Sequence, residues 1–124
     1  MITALYIAAC LAFVTGAAHS YLGERYILIR LFRRQNLPKL LGGTDFTRQT
    51  LRFAWHITTV LLWGFSAFFI LMANESCTFQ NIAWIGAATF IITGAISLIA
   101  SKGRHLSWIA FLSIGFICLY AALI

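Results

Sequence analysis

The sequence predicts an all-α integral membrane protein, a four-helix transmembrane bundle running up-down-up-down, and three observations carry that reading. First, four nearly uncharged apolar stretches, at about 2-22, 53-73, 82-100 and 106-124, can each cross a hydrocarbon core of ~30 Å at ~1.5 Å per helical residue. Second, none of them alternates polar and apolar residues, and a span in lipid must satisfy its own backbone, so each is read as a helix. Third, all nine Lys and Arg residues lie within 25–52 and 102–104, and four crossings bring both stretches to the same side. By the positive-inside rule that side is cytoplasmic, both termini lie outside, and a bacterial inner membrane is the expected location. With about eighty residues in lipid, the chain is expected to be one membrane domain, 1-124.

A net charge of +6 would suggest nucleic acid in a water-soluble protein. Here topology and attraction to anionic lipid headgroups account for it, so no nucleic-acid partner is expected.

The first span has no basic residue before it, and its positive charges begin after it at Arg25. That is the reverse of a secretory signal peptide, so the span is expected to be retained. Ala12, Gly16, His19 and Gly23 share one stripe of it, the side best able to pack closely on a neighbour. Beyond Leu22, residues 25–34 are amphipathic as a helix, with Arg30, Arg33 and Arg34 on one arc and Ile27, Leu28, Leu31 and Phe32 on the other. This predicts a basic cytoplasmic loop containing an interfacial helix at the headgroups. Pro38 and Gly42-Gly43 interrupt it, and Thr44 or Asp45 is then an N-cap for a second helix that carries Arg48 and Arg52 toward the membrane.

On the second span His56 shares a face with Thr59, Val60 and Trp63. The third has no ionisable side chain but a small-residue stripe through Ala83, Ala87, Gly94 and Ser97, suited to packing within the chain or to a homo-oligomer. On the fourth, His105, Trp108 and Leu112 share a face. Tyr21, Tyr26, Trp55 and Trp108 mark the basic interface, and Tyr6, Trp84 and Tyr120 the opposite one. Of three cysteines, Cys10 and Cys118 fall inside spans and Cys77 in a short outer connection, so no disulfide framework is implied.

The chemical clue is that all three histidines fall at similar depth near the basic face, one on each of three helices. His19, His56 and His105 are therefore candidate ligands for a transition metal, Zn, Cu or Fe, since neutral imidazole suits all of them. Haem b is an alternative: Gly16 and Gly23 would make space for a porphyrin, two imidazoles would be axial ligands, and Arg25, Arg52 and Arg104 stand where propionates would emerge. Glu24 lies ~140° around the helix from His19, which favours an ion pair with a loop arginine over a fourth ligand. No HxxxH, HxxE or CxxC spacing supports the cluster, so the signal is one of position.

Two other classes fit the same residues. One is an accessory subunit of a larger membrane complex. The other binds anionic lipid or another phosphate-bearing amphiphile, with Arg25, Arg48, Arg52 and Arg104 as headgroup contacts beside His56. No nucleophile-base pair or paired carboxylate stands out along the chain, so metal-free hydrolysis is not expected.

Overall fold

The computed structural model describes residues 1–124 and contains no strand, only an isolated bridge that closes the Leu40–Gly43 turn. Helix α1 (Ile2–Leu22) runs without a break through a π-helical segment (Gly23–Leu28) into a last turn, α2 (Ile29–Leu31). Helices α3 (Asp45–Ala73), α4 (Phe79–Ser101) and α5 (Ser107–Leu123) follow. Three helices are long and apolar enough to cross a membrane, at 30, 29 and 23 residues; α5 is apolar but shorter, at 17.

Local chemistry explains the ends. Thr44 stands at the N-cap of α3 without a side-chain cap bond, while Asp45 puts a negative charge in the first turn, where the helix dipole favours it. Thr78 caps α4 by accepting from the Asn81 N–H at 3.1 Å. At the other end of α4, Lys102 turns left-handed (φ 51°), and the amides of Gly103 and Lys102 donate to Leu98 and Ile99 at 2.9 and 3.2 Å. This Schellman closure satisfies the last carbonyls and turns the chain within a few residues into α5.

Packing follows chain order: α1 lies on α3, α3 on α4 and α4 on α5, while α1 meets neither α4 nor α5. The helices therefore form an open row. Close approach of α4 and α5 depends on glycine, since a Cβ at Gly94 would sit 3.0 Å from the Leu112 backbone nitrogen, and one at Gly115 3.2 Å from the Phe90 carbonyl carbon. Ala87, Gly94 and Ser97 of the small-residue stripe are buried within the chain.

The α1–α3 seam is held differently. Ser66 Oγ donates to the Ala9 carbonyl (2.8 Å), Trp63 Nε1 to Phe13 (3.1 Å), Thr59 Oγ1 to Gly16 (3.1 Å) and Trp55 Nε1 to His19 (3.1 Å). The donors descend α3 as the acceptors ascend α1, one per turn, which fixes the antiparallel register. Each carbonyl has a second lone pair to give, so the helix keeps its own ladder. In lipid each such bond contributes about 0.6 kcal/mol, in a setting where apolar burial between helices contributes little. Most large apolar side chains accordingly face outward, among them Leu11, Val14, Phe65, Ile99 and Ile117.

The basic segment departs from expectation. Rather than forming a separate interfacial helix, residues 25–31 prolong α1 along α3. Leu28 is 2% exposed, and the Arg52 guanidinium lies 5.0 Å over the Phe32 ring, so this turn is fixed to α3 by packing as well as by charge. His105 packs edge-on to Phe53 and stacks on Phe46, with centroids 5.0 and 6.0 Å away, which brings the α4–α5 connection, with Lys102 and Arg104, to the end of the row where α3 begins.

Candidate functional site

The α1–α3 ladder continues past Trp55 into a different kind of contact. Beside that last rung Ser20 Oγ lies 2.5 Å from His56 Nδ1, and one turn further Glu24 receives Arg52. Arg52 binds the carboxylate with two nitrogens, NH2 to Oε1 at 2.9 Å and Nε to Oε2 at 3.2 Å. The His56 Nε2 also reaches Glu24 Oε2, at 3.2 Å. Ser20, Glu24, Arg52 and His56 thus form one connected set built from two helical i,i+4 pairs on facing helices.

Backbone geometry favours this meeting. Glu24 sits in the π-helical segment, where the Ile29 amide bonds back to the Glu24 carbonyl five residues earlier. The wider turn changes the direction of the side chains that follow, and such segments are frequent at functional sites. Gly23 lets the turn touch α3: a Cβ there would lie 2.6 Å from Trp55 Cζ2 and nearer still to Nε1 and Cε2.

The hydrogen-bond roles follow from the donor inventory. A carboxylate only accepts, so Nε2 is the donor toward Glu24, and in the neutral ring the Nδ1 lone pair then faces the Ser20 hydroxyl. His56 is thus set as a base toward Ser20, with Glu24 fixing its tautomer and Arg52 holding Glu24. The set opens on an outward-facing groove of about 490 Å³, lined by the polar side chains of Ser20, Tyr21, Glu24, Arg25 and His56 and by apolar walls at Ala17, Ile29 and Trp63. Arg25 NH1 donates to Tyr21 OH at 2.9 Å and lies 5.8 Å from the Tyr26 ring centroid, with no carboxylate partner.

The three histidines occupy distinct settings. His19 stacks on Trp55, with centroids 4.6 Å apart and planes 3° from parallel, and its Nε2 meets Thr58 Oγ1 at 2.9 Å. His105 bonds Ser107 through Nδ1 at 2.8 Å and shapes the start of α5. No group of three or more His, Cys, Asp and Glu side chains that could hold a metal ion is formed. The space at Gly16 and Gly23, expected to admit a porphyrin, is taken by the indoles of Trp63 and Trp55. Of the arginines, Arg52 and Arg25 belong to the groove region, Arg48 faces Asp45 at 3.9 Å, and Arg104 lines a separate cavity of about 110 Å³ beside the Leu40–Gly43 turn.

Ser20 carried no expectation from the sequence, Tyr21 only that of an interface aromatic, and Glu24 only that of an ion pair. The signal was present in two i,i+4 pairs, Ser20/Glu24 and Arg52/His56, that become complementary once their helices run antiparallel. No family model, curated protein or solved structure matches the chain.

Proposed function

We infer that this is a four-span membrane protein, with the basic end cytoplasmic and both termini outside, that binds an anionic amphiphile in the α1–α3 groove. The carrying observation is the groove itself, in which the Ser20–His56–Glu24–Arg52 set and Arg25, which has no carboxylate partner, adjoin apolar walls at Ala17 and Trp63. Arg25 lies five residues, or ~7.5 Å of helix, nearer the headgroups than Ser20. A phosphate therefore fits at Arg25, with the hydrogen-bonding part of the amphiphile at Ser20 and His56 and its chain along Ala17 and Trp63. Arg52 is neutralised by Glu24 and supports the site from behind.

The test is photo-crosslinking with a chain-labelled phosphatidylglycerol in phosphatidylglycerol/phosphatidylcholine bilayers. Crosslinks are expected to concentrate on peptides bearing Ala17 and Trp63, and to fall at least several-fold in Ala17→Trp, which fills the groove. Crosslinks spread evenly over the lipid-facing sides of α1, α4 and α5 would overturn the reading.

A transition metal is the second reading, supported by one contact, His56 with Glu24, which supplies a nitrogen and an oxygen donor. A second imidazole requires His19 to leave Thr58, and His105 a larger rearrangement. Elemental analysis of purified protein decides: stoichiometric Zn, Cu or Fe lost in both His19→Ala and His56→Ala would favour the metal over the amphiphile.

A further inference from the structure

We propose that Ser20 is a nucleophile and that the groove carries out acyl transfer from an ester-linked membrane lipid to water. The inference rests on the amphiphile reading and adds a reaction to it. Its basis is the sequence of contacts Ser20 Oγ to His56 Nδ1 (2.5 Å), His56 Nε2 to Glu24 Oε2 (3.2 Å) and Glu24 to Arg52 (2.9 Å). A hydroxyl, a base and an oriented carboxylate in that order are what nucleophilic catalysis by serine requires, whichever ring nitrogen faces the hydroxyl.

A serine within an apolar helix ordinarily bonds the carbonyl one turn back. For Ser20 that carbonyl, Gly16, already receives Thr59 from α3, and the Ser20 hydroxyl is committed to the imidazole. Arg52 has a part distinct from phosphate binding: it holds both carboxylate oxygens, so that Glu24 keeps one orientation toward His56. Tyr21 OH accepts from Arg25 and so keeps its own proton free, to donate into the groove beside Ser20. It supplies the donor a developing oxyanion needs, polarised by the guanidinium behind it. The depth agrees as well, since in a glycerophospholipid the ester carbonyls lie just below the phosphate, as Ser20 lies below Arg25.

The step balances with water as co-reactant. Ser20 Oγ adds to the ester carbonyl carbon while its proton passes to His56 Nδ1. The adduct collapses, breaking the bond from that carbon to the glycerol oxygen, which leaves with the proton from His56. Water, deprotonated by the same nitrogen, then cleaves the acyl-serine and releases a fatty acid, restoring Ser20.

The experiment treats the full chain in phosphatidylglycerol/phosphatidylcholine vesicles with an alkyl fluorophosphonate and maps adducts by mass spectrometry, alongside release of free fatty acid. Labelling is expected on Ser20, absent in Ser20→Ala and reduced about 10²–10⁴-fold in His56→Gln, the range a general base contributes. Glu24 is a positioning residue, so Glu24→Gln should slow labelling and also change the imidazole ¹⁵N signals of His56, which a merely structural role would leave alone. Should His56→Gln not fold, Ser20→Cys replaces it: its thiol should react with iodoacetamide far faster than the native Cys10 in the same helix. No adduct at Ser20 and no fatty acid, with groove crosslinking intact, overturns catalysis and leaves the binding reading standing. Loss of groove-specific crosslinking in the unmodified protein overturns both.

Discussion

Gly23→Ala adds a single methyl group where the π-helical turn of α1 meets Trp55. The new Cβ would lie 2.6 Å from Cζ2, with two further indole atoms closer, and the ring is a rigid plane stacked on His19 with no flexible end to yield. Overpacking of this degree costs about 3 kcal/mol, at the upper end of the range for inserted methylenes. Turning the indole away also loses its bond to the His19 carbonyl, about 0.6 kcal/mol in lipid. Better helix propensity of alanine returns about 1 kcal/mol. The net expectation is a destabilisation of about 2.5 kcal/mol, read as a shifted midpoint in reversible unfolding by SDS in mixed micelles. Gly43→Ala, with nothing within 4 Å of its Cβ, should stay within about 0.5 kcal/mol. Because the strain is against one side chain, Trp55→Leu should relieve it, and a double-mutant cycle should give at least about 1 kcal/mol of coupling. A Gly23→Ala protein as stable as the original, or one strictly additive with Trp55→Leu, would refute the close approach.

Thr59→Val removes one rung of the α1–α3 ladder with little change of shape and should cost about 0.6 kcal/mol in the same unfolding assay, the bond to Gly16 being one of four. A membrane-impermeant maleimide applied to intact cells should label native Cys77, which is exposed, and should spare a cysteine placed at Lys102 until the cells are opened. The inverse pattern would reverse the orientation. Replacing Arg30, Arg33 and Arg34 together by Gln should weaken retention on phosphatidylglycerol vesicles while far-UV circular dichroism stays unchanged, since Arg33 and Arg34 are exposed and Arg30 only stacks on Tyr26, 5.7 Å away.

The helices were legible in the sequence because lipid leaves few alternatives: an apolar run of the right length is a helix, and its ends follow the charges and the turn residues. The start of α3 was legible too: Pro38 and Gly42-Gly43 break the chain before it, Thr44 stands at the N-cap, and the extra turns ahead of the apolar span are held by burial of Thr47 and Phe53 against neighbouring segments. The join of 25–31 to α1 was hidden because amphipathicity describes a helix at headgroups and a helix packed on a partner equally well. Depth alone drew the histidines together, and depth is only one of the coordinates that convergence needs. The other is azimuth, set by the antiparallel register: it turns His56 to Ser20 and Glu24, while His19 stacks on Trp55 and bonds Thr58. The ladder of hydroxyl and indole donors onto α1 carbonyls left no periodic trace that apolar patterning detects, since Thr, Ser and Trp are common in spans for other reasons.

The central claim is that His56 links Ser20 to Glu24 across the α1–α3 seam, and solid-state NMR of ¹⁵N-histidine-labelled protein in bilayers tests it most directly. One imidazole, assigned by its loss in His56→Gln, should show a protonated Nε2 and a hydrogen-bonded, unprotonated Nδ1. Ser20→Ala should move chiefly the Nδ1 signal, and Glu24→Gln chiefly the Nε2 signal. A His56 resonance indifferent to both substitutions, or with its proton on Nδ1, would contradict the account.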